Sequence, residues 1–206
     1  MHHQQHGDVG RFDQWGPTYE RHWMQRWIMD PVQRSVLDMA AQSTPQPPRI
    51  LDIGCGTGRL LRHAAARFPQ AQLDGVDPAD GMINQGTALL PPGSNIRLQH
   101  GTAEELPFPD GSFDLVLSTM SFHHWHDRAQ GCREVRRVLV PGGRWVLADV
   151  IPKGVMVPML HFIHIGGIRQ RSQLDAMLAG AGLTVVAERK VPRMAGNIPV
   201  LVIGQA

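Results

Sequence analysis

Three groups of residues in this chain of 206 are of types and spacings that could do chemistry. Asp52-Ile53-Gly54-Cys55-Gly56-Thr57-Gly58 sets three glycines at alternate positions behind an apolar run. Glycines spaced in this way let the backbone turn sharply and leave no side chains where a ligand would lie. Asp77 stands 23 positions beyond Gly54, close to the interval at which α/β nucleotide folds place a carboxylate on ribose hydroxyls. Its other reading is a helix cap, since Asp77 or Asp80 could cap a helix carrying Met82 and Ile83. His123 and His124 form the third group, in Ser121-Phe122-His123-His124-Trp125-His126-Asp127. An unperturbed imidazole titrates near pH ~6.5, so either could accept a proton at neutral pH. Polar loop residues that fix the Trp125 turn are the alternative. No third ligand at a fixed spacing joins His123, His124 and His126, so a metal is not expected.

The elements needed to position these groups are those of an α/β fold. Ile50, Leu51 and Ile53 suit a parallel strand covered on both faces. Leu60, Leu61, Ala64, Ala65 and Phe68 recur at helical spacing, so the glycine turn opens a helix. A dinucleotide fingerprint needs a small residue where this chain has Arg59, its third glycine coming one position early at Gly58. The lysine and hydroxyl residue of a phosphate-binding loop are absent. Strands are expected over 72–77, 95–100, 113–118, 144–150, 183–188 and 198–203. His123 and His124 then follow the carboxyl end of a central strand, the edge where open α/β sheets bind ligands. Asp127 caps the next helix, and Pro141-Gly142-Gly143 stops it. Ser172 with Asp175 has the pattern of a capping box.

Two segments stand outside this alternation. Tyr19, Trp23 and Trp27, four apart, make an aromatic helix that either packs on the domain edge or closes over a ligand. Asp30-Pro31 starts a second helix, with Asp30 as its cap, before a proline-rich break over 43–48. Gly154 to Ile168 is an apolar insert bearing His161 and His164. The favoured reading is a lid over the carboxyl edge of the sheet; apolar packing without function, and attachment to a membrane surface, are the alternatives. His2, His3 and His6 belong to a polar amino-terminal tail.

Composition narrows the partners. A formal charge of +2 with no dense basic run predicts no nucleic-acid footprint. Two cysteines far apart make no disulfide framework. No stretch approaches a spanning helix or a signal-peptide core, so no stable membrane insertion and a cytoplasmic location are expected.

In register, these pieces resemble the class I S-adenosylmethionine-dependent methyltransferases, most closely the small-molecule type grouped with ubiquinone/menaquinone biosynthesis. Leu51 to Gly58 is similar to the family's first motif, Gly75-Val76-Asp77-Pro78 with Met82 to its second-strand segment, and Gly101 to Phe108 to its adenine loop. Phe113 to Val116 and Leu139 to Gly143 resemble its fourth strand and the turn before the fifth. The resemblance implies a Rossmann-like, doubly wound, mostly parallel seven-stranded sheet with an antiparallel last strand, N-terminal helices and a lid insert. All 206 residues would form one domain: a helical cap over 1–45, a cofactor-binding core over 46–151, and the lid, helix and strands of 152–206.

It further implies S-adenosylmethionine as cofactor and a small, hydrophobic or aromatic acceptor methylated by in-line displacement. Gly54 and Gly56 would underlie its methionine part, with the Ser118 carbonyl facing the amine, and Asp52 and Cys55 would be further cofactor-binding residues. Asp77 would take both ribose hydroxyls, Pro78 and Met82 would be further cofactor-binding residues, and Thr102, Ala103 and Glu104 would serve the adenine, Ala103 through its backbone amide. Relatives commonly carry Asp where this chain has Thr102, which would shift adenine recognition toward Glu104. His123 is the candidate base, with His124 turned toward the scaffold; Tyr19, Trp23, His124, His161 and His164 are candidates for the acceptor pocket. A nicotinamide-dependent oxidoreductase and a non-catalytic cofactor-binding subunit are the competing functions.

Overall fold

The structure is a computed structural model, and it describes residues 29–150, 170–192 and 197–206. The described chain runs α1 (Asp30–Ser43), β1 (Arg49–Ile53), α2 (Arg59–Arg67), β2 (Gln72–Asp77), α3 (Asp80–Ala88), β3 (Ile96–His100) and β4 (Phe113–Thr119). A 3₁₀ turn (Phe122–His124) follows, then α4 (Arg128–Val138), β5 (Leu139–Ala148), α5 (Arg171–Gly180), β6 (Leu183–Val191) and β7 (Ile198–Gln205). The seven strands form one sheet in the order β3-β2-β1-β4-β5-β7-β6. Neighbours from β3 through β5 are parallel, and β7 enters antiparallel between β5 and β6. The strand order reverses beside β1, between β1 and β4, and ligands of such sheets bind at that reversal.

Alternation along the strands divides the core into two layers. Ile50, Leu115 and Leu117 face one side, where Val32 and Val36 of α1 and Leu61 and Ala64 of α2 cover them. Leu51, Ile53 and Val116 face the other, against Cys132 and Val135 of α4 and Leu174 and Leu178 of α5. Burying a leucine or isoleucine side chain contributes about 1.5–3 kcal/mol, so both layers hold the central strands in register.

Local signals met tertiary structure in different ways. Asp127 caps α4 as expected, accepting from the Gln130 N–H at 2.9 Å. Asp30 does not cap α1: Met29 holds that position, and the Asp30 carboxylate pairs with Arg59 at 2.7 Å. The capping box at Ser172 is absent too. Gln170 precedes α5, and Asp175 bonds Arg171 at 2.8 Å. In both cases an arginine outcompetes a backbone N–H for the carboxylate. β5 begins at Leu139 and runs through Pro141-Gly142-Gly143, with a register shift opposite Phe113–Leu115, because the chain pairs with β4 directly after α4. The aromatic helix at Tyr19–Trp27 and the insert from Gly154 to Ile168 lie outside the described residues.

Candidate active site

The glycine turn is held from below by β2 and crossed from above by the chain leaving β4. Gly54 and Cys55 both donate to the Val76 carbonyl, at 2.9 and 3.0 Å. The Ser121 hydroxyl donates to the Ile53 carbonyl at 2.8 Å. Gly54 has φ +73°, and a Cβ there would lie 2.3 Å from the Ser121 Cβ, so only glycine permits the crossing. Gly56 has φ +53°, and a Cβ on it would meet nothing within 4 Å: the backbone opens on free space. Asp77 ties this turn to the end of β2. One carboxylate oxygen accepts from the Gly56 N–H at 2.9 Å, the other from the Ala79 N–H at 3.0 Å.

Beside the turn is a cleft lined by Met29, Gln33, Asp52, Arg59 and Thr119 together with Gly54 and Gly56. Asp52 and Thr119 end adjacent strands on the same face of the sheet, and Gln33 comes down from α1 above them. Asp52 Oδ1, Gln33 Oε1 and Thr119 Oγ1 are buried without a hydrogen-bond partner among the described residues. An unmet buried polar group costs about 1–3 kcal/mol, and three in one cleft suit a ligand that brings N–H donors and positive charge. Burial, with a smaller push from the Asp77 carboxylate, raises Asp52 to about 8. At neutral pH it therefore holds a proton unless a cation lies beside it. The Cys55 thiol is raised well above its usual range by burial and by Asp52 and Asp77, which removes it as a nucleophile.

On the opposite face, past the same crossing, His123 meets Asp149 at the end of β5. His123 Nδ1 lies 2.7 Å from Asp149 Oδ1, and the His123 backbone N–H donates to Oδ2 at 3.0 Å. The two side chains are 8% and 5% exposed. Arg128 donates to the Phe122 and His123 carbonyls at 3.1 and 2.6 Å, fixing the 3₁₀ turn from its other side. Phe122, Trp125 and Trp145 form an aromatic stack beneath it, with Trp125 and Trp145 near parallel at 5.8 Å.

A family model described as a methyltransferase domain matches residues 50–143. The chain is 31% identical over 160 residues to a ubiquinone/menaquinone biosynthesis C-methyltransferase of Geotalea daltonii, covering 74% of this chain and 67% of that one. The chain belongs to the class I S-adenosylmethionine-dependent methyltransferases. It is also 32% identical to a demethylmenaquinone methyltransferase of Chlorobaculum parvum, over 76% of this chain and 66% of that one. The fold of a Burkholderia thailandensis 1,6-didemethyltoxoflavin-N1-methyltransferase, solved with S-adenosylhomocysteine, aligns with a TM-score of 0.69 over 96% of this chain and 86% of that chain at 19% identity. The chain spans about half to two thirds of the length of the curated relatives it matches.

Within this methyltransferase fold, the residues singled out in the sequence divide. Asp52, Gly54, Cys55 and Gly56 line one cleft, and Asp77 reaches the same turn. Pro78 is half-buried and Met82 is 2% exposed. Ser118 points its hydroxyl away from the cleft, accepting from Trp145 Nε1 at 3.2 Å, and Thr119 is the β4 side chain that lines it. Glu104 uses Oε1 on the His126 and Asp127 N–H groups, at 2.6 and 3.1 Å, which ties the adenine-loop segment to the start of α4. Thr102 is exposed and Ala103 buried. The strand ends at Thr119, so His123 and His124 sit on a 3₁₀ turn and not on an extended strand. His124 is exposed with its ring 4.0 Å from that of His123, and the enclosed ring is His123. Tyr19, Trp23, His161 and His164 lie outside the described residues. Sequence reading missed Gln33, Thr119 and Asp149. Period-two counting along β4 from Leu115 and Leu117, on the face that Asp52 shares, could have suggested Thr119. Gln33 and Asp149 carry no local signal.

Proposed function

We propose that this chain transfers a methyl group from S-adenosylmethionine to a small hydrophobic or aromatic acceptor. One observation carries the cofactor half: three buried oxygens without a hydrogen-bond partner among the described residues belong to side chains that line one cleft beside a glycine turn that Asp77 braces. Asp52, Gln33 and Thr119 receive the ammonium of the amino-acid end, and the bare Gly54–Gly56 backbone leaves room for its chain. Asp77, at the end of β2, accepts from the ribose hydroxyls. When bound, the cofactor supplies a methyl group already activated on a sulfonium. The chain's own work is alignment and exclusion of water, and alignment alone can contribute about 7–11 kcal/mol. His123 takes the proton of an acceptor that carries one. Relatives named for demethylmenaquinone support a small ring-bearing acceptor.

The test is calorimetric titration with S-adenosylhomocysteine and, separately, with NAD. Binding of the first and no comparable binding of the second is expected; the reverse ranking overturns the proposal. Asp77→Ala removes a charge-assisted bond worth about 1.5–3 kcal/mol, a loss of roughly 10- to 150-fold in affinity. Undiminished affinity in a folded variant removes Asp77 from the ribose role.

A further inference from the structure

Resting on the methyl-transfer reading, we infer that Asp149 is the positioning residue that locks His123 in one tautomer, with Nδ1 protonated and Nε2 free to accept a proton. Asp149 Oδ2 accepts the His123 backbone N–H at 3.0 Å, and Oδ1 accepts the Val150 N–H at 2.6 Å. Both oxygens thus receive donors that cannot reverse direction, and the carboxylate acts here as an acceptor. The 2.7 Å contact from Nδ1 to Oδ1 therefore takes its hydrogen from the imidazole. A neutral imidazole with Nδ1–H has its lone pair on Nε2. Nothing in this arrangement swings freely. The His123 backbone is held by Asp149 at its N–H and by Arg128 at its carbonyl, and the ring is 8% exposed. The turn that carries His123 is the one whose Ser121 lies against Gly54, so the imidazole is tied to the glycine loop by two residues of chain.

A base locked in this way suits an acceptor that sheds a proton as it is methylated: a phenol, an enol or an acidic carbon. The acceptor's lone pair forms the bond to the methyl carbon, and the carbon–sulfur bond breaks with its electron pair going to sulfur. The acceptor's proton passes to Nε2, and the resulting imidazolium keeps its Nδ1–H on Asp149 before losing the added proton to water. A thioether or tertiary amine has no proton to give and would make no use of the pair.

The test is nitrogen NMR of the full chain labelled at histidine, with the His123 signals identified by their loss in His123→Gln. In alkaline buffer, Nε2 should resonate as an unprotonated nitrogen and Nδ1–H should exchange slowly. Asp149→Asn should shift the ring toward the Nε2–H form, and Asp149→Glu should partly restore the original pattern. A protonated Nε2 in the unaltered chain overturns the inference, as does an unchanged pattern in folded Asp149→Asn. If Asp149→Asn does not fold, the unaltered chain's spectrum still decides. In turnover with a panel of naphthols, tertiary amines and thioethers, naphthol methylation in Asp149→Asn should fall about 10²-fold in kcat. The affinity for S-adenosylhomocysteine should stay the same. Turnover confined to the amines or thioethers overturns the acceptor class. Failure of S-adenosylhomocysteine to bind the unaltered chain would instead sink the methyl-transfer reading.

Discussion

Gln33 is a buried polar residue for which the proposed function gives a use. Its Oε1 has no partner among the described residues, and only 5% of the residue is exposed. For the fold alone this is a cost, since an apolar residue of similar shape would avoid leaving an oxygen unpaired. For a bound ammonium it is a preset acceptor. Gln33→Leu should therefore raise the urea midpoint of the protein without cofactor. The same variant should weaken S-adenosylhomocysteine binding by about 1 kcal/mol, roughly fivefold. A variant that binds as tightly as the parent would remove Gln33 from the site. Asp52 and Thr119 share the cleft with it, and their effects should not add independently because they face one group.

At the scale of elements, the 3₁₀ turn depends on how closely α4 approaches it. Gly131 lies in α4, and a Cβ built there would come within 2.4 Å of the Trp125 ring. A glycine inside a helix ordinarily costs about 1 kcal/mol relative to alanine. Here the sign reverses, because the ring has nowhere to go: Trp145 stacks on one side and Phe122 lies at 4.8 Å. Gly131→Ala should destabilise by about 1–3 kcal/mol as an overpacked site does. It should also change Trp125 fluorescence and weaken the His123–Asp149 pair that the turn carries. A variant more stable than the parent, with unchanged emission, would show that the contact is not tight.

For the whole molecule, Asp52 couples stability to pH and, on the function proposed above, to the cofactor. Its folded value of about 8 lies far above the 3.8 of an unperturbed carboxyl. The folded state holds a proton that the unfolded state has released between these values, so the Asp52 contribution is fully present below about pH 4 and declines as pH rises toward 8. Asp52→Asn stays neutral throughout. The stability of the parent minus that of Asp52→Asn should fall steadily from pH 5 to pH 8 in urea unfolding, and a flat difference would contradict the raised value. Binding a cationic ammonium should draw the proton off Asp52. Calorimetry at pH 7 in buffers of different ionisation enthalpy should then report proton release on binding S-adenosylhomocysteine. Among the described residues, no helix is long and apolar enough to cross a membrane.

The sequence by itself determined the parts of this protein whose cause is local. Glycines at alternate positions specify a turn, the apolar run before them a buried strand, and Asp77 at its interval a carboxylate at the next strand end. The family resemblance then implied a mostly parallel seven-stranded sheet with an antiparallel last strand. The sheet observed, with β7 antiparallel between β5 and β6, agrees with that expectation. What the tertiary structure decided are the partners that lie far apart in sequence. Asp30 went to Arg59 and not to its own helix, since a charge-assisted pair is stronger than a cap. Gln33 and Thr119 became neighbours of Asp52 only because α1 lies over the ends of β1 and β4. Asp149 reached His123 across 26 positions because β4 and β5 are adjacent and parallel, so their carboxyl ends emerge together. No local pattern encodes such a meeting: it depends on strand order and register, and those are settled when the two apolar layers close on the sheet.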